Sequence, residues 1–180
     1  QILYSIVDRF AAQTLTQTEG TTVTYLSEIP AGTVIEGNLL ICSDTTELNL
    51  NQVTVTGKLI VQGVDLLSLK TTDCKIHELV VCRPTDMDLD GSVDGVIALA
   101  DVVIHGQANS VTMAGGDVIV ASNAELMLLL ADERAKGGTL VVDGILHTAK
   151  IDTVISVKGD GTIKQADVWA PSFMPELAPE

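Results

Sequence analysis

The side chains best suited to chemistry form an acidic segment near the middle of the chain. Asp86, Asp88 and Asp90 alternate with apolar residues, Gly91 follows, and Asp94 lies three positions further on. Oxygen ligands at alternate positions with glycine at the sixth match the first nine positions of a twelve-residue calcium loop. The segment is therefore a candidate site for a calcium ion, which would be the only cofactor.

The match to a calcium loop is incomplete. Position twelve is Ile97, where a bidentate carboxylate should close the ligand shell, and no helix pattern flanks the segment. Acidic runs are usually solvated faces. We therefore expect Asp86, Asp88 and Asp90 to be outward residues of a strand and its turn, and calcium binding stays a hypothesis beside that interpretation.

The overall charge excludes some classes of partner. Lys and Arg number 10 and Asp and Glu 24, which gives a formal net charge of −14. A nucleic-acid binder or a sensor of anionic lipid needs clustered positive charge, so neither is expected. No Lys or Arg occurs between Arg83 and Arg134, where the chain has nine acids. Stacked carboxylates would repel unless spread, screened or bridged, so we expect millimolar calcium to stabilise this half.

Residues for catalysis are not arranged in a known motif. The chain lacks the GxSxG, HExxH, P-loop and GxGxxG patterns. His77, His105 and His147 are 28 and 42 positions apart, with no acidic partner at a fixed offset. We interpret them as exposed turn or strand residues rather than metal ligands. No enzyme activity is expected.

The hydrophobic pattern indicates strands. Apolar residues make up 46% of the chain but aromatic residues only 3%, so the core must be aliphatic and β-branched. No run of 18 uninterrupted apolar residues occurs, so no transmembrane helix is expected.

Short alternating segments return about every 20 residues. Leu39 precedes Leu59 by 20 and Leu59 precedes Leu79 by 20. We also align Leu48 with Leu67, 19 positions on, and Leu67 with Met87, 20 positions on. Such a period predicts an all-β, single-stranded parallel β-helix (a solenoid), in which each turn stacks on the last.

An antiparallel sandwich is the competing fold, since it too has many short strands. Its hairpins would need regularly placed Asn-Gly or Asp-Gly turns, and the four Asp-Gly pairs do not punctuate the chain regularly. The solenoid interpretation has a consequence for the cysteines. Cys42 and Cys82 should lie on one ladder, two turns apart. Their separation of about 9.6 Å is too long for a disulfide bond. We therefore expect all three cysteines, including Cys74, to be unpaired.

Three regions follow from this pattern. Residues 1–20 should form a cap with a short helix, because apolar residues between Ile2 and Phe10 lie on one helical face. Residues 21–170 should form the parallel β-helix, and the proline-bearing residues 171–180 a tail or linker. Residues 122–136 resemble a capped helix, but their leucines alternate, so we interpret them as a strand plus a turn.

The blocks GTVIEGNLLI, LNLNQVTVTGKLIVQG, HELVVC and GTIKQADVWAPS resemble the β-solenoid region that accompanies S-layer-homology domains in Gram-positive bacterial surface proteins. The start, ILYSIVDRFAAQ, is similar to the last helix of an S-layer-homology motif. The resemblance covers roughly residues 21–170 and implies an extracellular, wall-attached, non-catalytic, right-handed parallel β-helix. It brings no site residues with it.

Three functions remain open from the sequence, and one of them, suggested by the free thiols, is a cytoplasmic solenoid that forms polymers. The other two follow more directly from the pattern. The first is a cell-surface structural or interaction module, an acidic rod that spaces or displays adjacent domains of a larger chain. Its partners would be cell-wall polysaccharide or other surface proteins, and neither nucleic acid nor membrane. The alternative is a β-helix that binds or degrades polysaccharide, against which the scarcity of aromatic and basic residues argues.

Overall fold

The computed structural model describes residues 15–18, 21–24 and 29–169. The described chain is all-β. Its strands, in chain order, are β1 (Leu15–Thr18), β2 (Thr21–Thr24), β3 (Val34–Ile35), β4 (Asn38–Ile41), β5 (Glu47–Asn51), β6 (Thr54–Val61), β7 (Leu67–Thr72), β8 (Lys75–Val81), β9 (Thr85–Asp90), β10 (Val93–Ala98), β11 (Val102–Met113), β12 (Val118–Ala131), β13 (Thr139–Val142), β14 (Ile145–Ile151), β15 (Ser156–Lys158) and β16 (Thr162–Val168).

Successive turns stack in parallel and form three ladders of strands. Ladder A contains β2, β4, β10, β14, β16 and the C-terminal parts of β6, β8, β11 and β12. Ladder B contains β5, β7, β9, β13, β15 and the N-terminal parts of β11 and β12. Ladder C consists of short pairings that precede ladder A in each turn, such as Val34 with Thr54 and Leu126 with Leu146. The fold is a parallel β-solenoid of about eight turns, as the repeat predicted.

One continuous aliphatic core fills the solenoid. Inward residues alternate with outward ones in β5 and β7, so each strand buries one face. Leu39, Leu59 and Leu79 stand opposite one another on successive turns, and none of them is exposed to solvent. Because a single turn buries only one face of each strand, the turns are stable only when stacked.

The period is less regular than the sequence indicated. Steps along ladder A vary from 15 to 20 residues and average 18. The predicted alignment of Leu39, Leu59 and Leu79 is confirmed. The alignments of Leu48 with Leu67 and of Leu67 with Met87 are wrong, because Leu48 pairs with Leu69 and Leu69 with Met87.

Loops between ladders A and B explain part of the irregular period, and the junction between ladders B and C, which is interrupted at 91–92 but continuous within β11, explains another part. These loops hold five residues at 42–46 and 62–66, three at 82–84 and seven at 132–138. A corner loop changes length without disturbing the strands, since only the strands must stay in register. A constant spacing in sequence therefore does not predict which residues pair wherever the loop length changes.

At the N-terminal end, β1 pairs with β2 in an antiparallel hairpin, and β2 then pairs in parallel with β4. The helix predicted between Ile2 and Phe10 and the tail predicted over 171–180 lie outside the described residues. The described part of the expected cap, Leu15–Thr18, is a strand and not a helix, because its backbone completes the edge of β2.

The interpretation of residues 122–136 as a strand plus a turn is confirmed. β12 continues to Ala131, and a single 3-10 turn follows at Glu133–Ala135. Leu126 and Leu129 are fully buried in the core. Pairing with both β11 and β14 holds this leucine-rich segment extended despite its helix propensity.

Candidate functional site

The acidic segment lies on the outside of β9 and the turn that follows. Met87 and Leu89 point into the core, while Asp86, Asp88 and Asp90 face outward from ladder B. Within the part of the chain that the structure describes, no three carboxylate, imidazole or thiol side chains converge as a metal site would require. Asp86 and Asp90 instead have separate partners among the protein's own side chains and backbone.

Asp90 joins two turns through hydrogen bonds. Its Oδ2 accepts the backbone N–H of Asp73 at 2.7 Å, and its Oδ1 accepts the hydroxyls of Ser92 at 2.5 Å and Thr71 at 3.2 Å. Asp73 adopts a left-handed backbone with φ of 50°, which the bond from Asp90 helps to hold. Partial burial raises the pKa of Asp90, but these bonds, the Ser92 hydroxyl first, outweigh it and lower the pKa below its usual value.

Asp90 should therefore make the stability of the fold depend on pH in the acidic range. Because its pKa is lowered on folding, its stabilisation is complete above the pKa of the unfolded chain and is lost as the pH falls from about 4 through the folded value. We expect Asp90→Asn to lower the free energy of unfolding by about 1 kcal/mol at pH 7 and to flatten the acid limb of its pH profile. Urea unfolding across this pH range measures both effects.

Asp88→Asn is the matched control, since it removes an outward carboxylate from the same strand. Equal pH profiles for the two variants would contradict the role given to Asp90.

All three histidines contact an acid on a neighbouring turn. The nitrogen–oxygen distances are 3.6 Å from His77 to Asp94, 2.7 Å from His105 to Asp86 and 2.5 Å from His147 to Glu125. The histidines lie on strands, as expected, but only His77 is exposed, and His105 and His147 are half-buried. No acid lies at a fixed offset from them in the sequence, because the offset differs from pair to pair. The sequence offsets are 17, 19 and 22, within the 15 to 22 residues that separate paired residues of adjacent turns on ladders A and B, so searching one turn away would have found the pairs.

The other acids of this half bind backbone N–H groups or nearby donors. Asp101 accepts the N–H of Asp117 at 2.8 Å, and Asp117 accepts the N–H of Thr139 at 2.9 Å. A corner carboxylate thus satisfies a backbone donor of the next turn. Eight of the nine acids between Arg83 and Arg134 bind a partner within the solenoid: Asp86, Asp90, Asp94, Asp101, Asp117, Glu125, Asp132 and Glu133.

Arg83 is a buried cation that the sequence did not single out. Its side chain is 3% exposed, and its Nε donates to the carbonyl of Asp65 at 2.8 Å. Its Nη1 donates to the carbonyls of Ser43 at 3.2 Å and Gln62 at 3.5 Å. A side chain at position 63 would crowd the guanidinium, so Gly63 leaves room for it. Arg83 therefore ties the corner loops of three successive turns together.

The cysteines confirm the expected register. Cys42, Gln62 and Cys82 follow one another along the edge of ladder A, and Cys42 Sγ donates to Gln62 Oε1 at 3.8 Å. All three thiols are free, and Cys74 is buried, with Sγ 3.3 Å from the carbonyl of Leu50. Partial burial raises the pKa of the Cys42 and Cys82 thiols, which leaves less thiolate at neutral pH.

Two open depressions lie on the outer face of ladder C. The larger, of about 450 Å³, includes Lys75, His77, Ser92 and Asp94 in its lining. The smaller, of about 170 Å³, shares Gly91 with it and includes Gln107, Asn109, Glu125 and Met127. This face offers alternating hydroxyl, amide, imidazole and charged groups to a polar ligand.

Comparison of the chain with protein-family models, curated proteins and solved structures gave no match. In the described residues, no helix is long and apolar enough to cross a membrane.

Proposed function

We propose that the chain is a non-catalytic structural or interaction module of an extracellular, wall-attached protein. It acts as a stiff acidic spacer that separates or displays neighbouring domains. The observation that carries this proposal is the unbroken stacking of the turns, in which backbone hydrogen bonds of ladder A join every turn from β4 to β16 to its neighbours.

The surface chemistry supports the same function. The carboxylates of the acidic half bind partners within the solenoid and are not gathered into a reactive centre. The bond from Thr139 to Asp117 joins adjacent corners, and the bond from Arg83 to Ser43 spans two turns, so such bonds oppose bending as well as unfolding. Eight steps of about 4.8 Å give a stacked length of roughly 38 Å.

Single-molecule force spectroscopy tests the spacer function. The chain is held by its two ends between marker domains, and the extension is recorded as the force rises. A spacer should keep a constant length until it unfolds in one or a few large steps. Gradual lengthening at low force, turn by turn, would contradict the proposal. Immunodetection in the wall fraction of the source cells tests the location.

Polysaccharide binding is the second candidate function, and the depressions of ladder C favour it. A glycan array with an assay for released sugar ends separates the two functions. A spacer gives neither binding nor cleavage. Binding that Lys75→Ala weakens and Lys164→Ala leaves unchanged would instead support the second candidate, because Lys164 is an exposed lysine outside the two depressions.

Calcium binding by the Asp86–Asp94 segment stays a separate prediction. We expect millimolar calcium to stabilise the fold, by about 0.4 kcal/mol when its concentration equals the Kd, because the outward carboxylates of β9 repel one another. The measurement is the melting temperature with calcium and with chelator, for the wild-type chain and for Asp88→Asn. An unchanged melting temperature of the wild-type chain would disprove the hypothesis.

A further inference from the structure

An apolar stripe runs along the outer face of ladder A. It consists of Leu40, Ile60, Val80, Ile97 and Leu130, with Thr112 between the last two, and these six residues are paired in register on six successive turns. The five aliphatic side chains are half-buried, although they alternate with core residues and so face outward. The stripe is about 24 Å long, since adjacent strands are about 4.8 Å apart.

The surroundings of the stripe are nearly neutral in a chain of net charge −14. On one side lie Cys42, Gln62, Cys82, Leu99 and Ala114, and beside Leu130 lies Asp132, whose charge is paired with that of Arg134 at 2.8 Å. On the other side the only charged groups beside the first five turns are Lys58 and Glu78, which pair with each other at 3.6 Å. Beyond Leu130, the charged residues Lys150 and Asp167 continue the row of the stripe itself.

We propose that this stripe is a contact between two copies of the chain, laid face to face with the order of their turns reversed. The proposal names the partner of the interaction module inferred above and so rests on that function. Like-charged copies repel where the acids of ladders B and C would meet, and the stripe is a neutral face on which they can approach. A basic partner would be attracted to the acidic faces instead.

The reversed order follows from where the charges lie. With the two-fold axis between the turns of Val80 and Ile97, Val80 of one copy faces Ile97 of the other, and Leu40 faces Leu130. Lys150 in β14 then lies opposite β2 of the partner, and Asp167 in β16 lies opposite β1, so neither residue faces its counterpart in the other copy. If the two copies instead had their turns in the same order, each Lys150 would face the Lys150 of the other copy, and the two like charges would repel.

The size of the stripe indicates a weak contact. Five residues of each strand give a width of about 13 Å, so the stripe covers roughly 300 Å², against about 800 Å² per partner in a stable interface. Association should therefore depend on protein concentration and increase when copies are held together on one surface.

Sedimentation velocity over a wide concentration series tests the contact. The weight-average mass of the wild-type chain should rise with concentration, and Ile97→Lys should weaken the association at least tenfold. Ile119→Lys is the matched control, because Ile119 is a half-buried outward residue of ladder B and the charge change is the same. A wild-type chain that stays monomeric, or equal weakening by both variants, would overturn the proposal.

Cross-linking tests the geometry. In the reversed arrangement, the two Cys82 residues lie near the axis, one turn apart across a gap of about 10 Å, while the two Cys42 residues lie about five turns apart. A short bis-maleimide should therefore join two copies of Cys42→Ser, which retains Cys82, but not two copies of Cys82→Ser. The opposite result would overturn the proposed arrangement. The force measurement does not depend on this face, so failure here would leave the spacer function standing.

Discussion

Gly106→Ala should lower the free energy of unfolding by about 3 kcal/mol and the melting temperature by roughly 10 °C. Gly106 has φ of 73°, and an added Cβ would overlap the carbonyl oxygen of Leu89 on the preceding turn. The cost has two parts, the strain of a left-handed alanine and the displacement of the neighbouring strand. Urea and thermal unfolding followed by circular dichroism measure it.

Gly137→Ala separates the two parts. Gly137 has a similar φ of 79°, but an added Cβ would meet nothing within 4 Å. Its alanine variant should lose only about 1 kcal/mol, which is the backbone strain alone. If the two alanine variants were equally stable, the result would contradict the claim that the backbones of stacked turns approach closely at Gly106.

Arg83→Ala should lower the free energy of unfolding by about 3 kcal/mol. The substitution removes a buried guanidinium and leaves the carbonyls of Ser43 and Asp65 without their donor. Arg83→Met fills most of the same volume without donating hydrogen bonds, so it should remain destabilised. Full stability of the Met variant would show that Arg83 acts by packing alone.

Arg134→Ala is the matched control for charge. Arg134 binds Asp132 at 2.8 Å within one exposed turn, and both side chains are about half exposed. Its hydrogen bond lowers the pKa of Asp132, but exposed pairs of this kind contribute at most about 1 kcal/mol. A loss as large as that of Arg83→Ala would contradict the assignment of Arg83 as the bridge between turns.

The solenoid could be predicted because buried aliphatic residues must stack from turn to turn. The alignment was correct on ladder A at Leu39, Leu59 and Leu79. On ladder B it was wrong at Leu48 and Leu67, although the loops before β5 and β7 are equally long. It was also wrong at Leu67 and Met87, because the loop before β9 is two residues shorter than the loop before β7. The turn-to-turn pairs of the histidines were missed for the same reason, since their offsets vary with the loops.

Other features have no signal in the sequence. Arg83 binds backbone carbonyls, which every residue possesses, so no partner residue type indicates its burial. The outward stripe was missed because runs such as Leu39-Leu40-Ile41 are apolar throughout and do not show which residue faces out. The outward direction of Asp86, Asp88 and Asp90 could be predicted, because apolar residues alternate with them.

The distance between Cys42 and Cys82 tests the stacking of the turns most directly. Spin labels on these two thiols, in chains diluted with unlabelled protein so that only one molecule is measured, should lie two turns apart, about 10 Å along the axis. The electron paramagnetic resonance spectrum should then be broadened by dipolar coupling relative to the sum of the spectra of Cys42→Ser and Cys82→Ser. A doubly labelled spectrum equal to that sum would show that residues 40 positions apart do not stack, and would contradict the parallel solenoid.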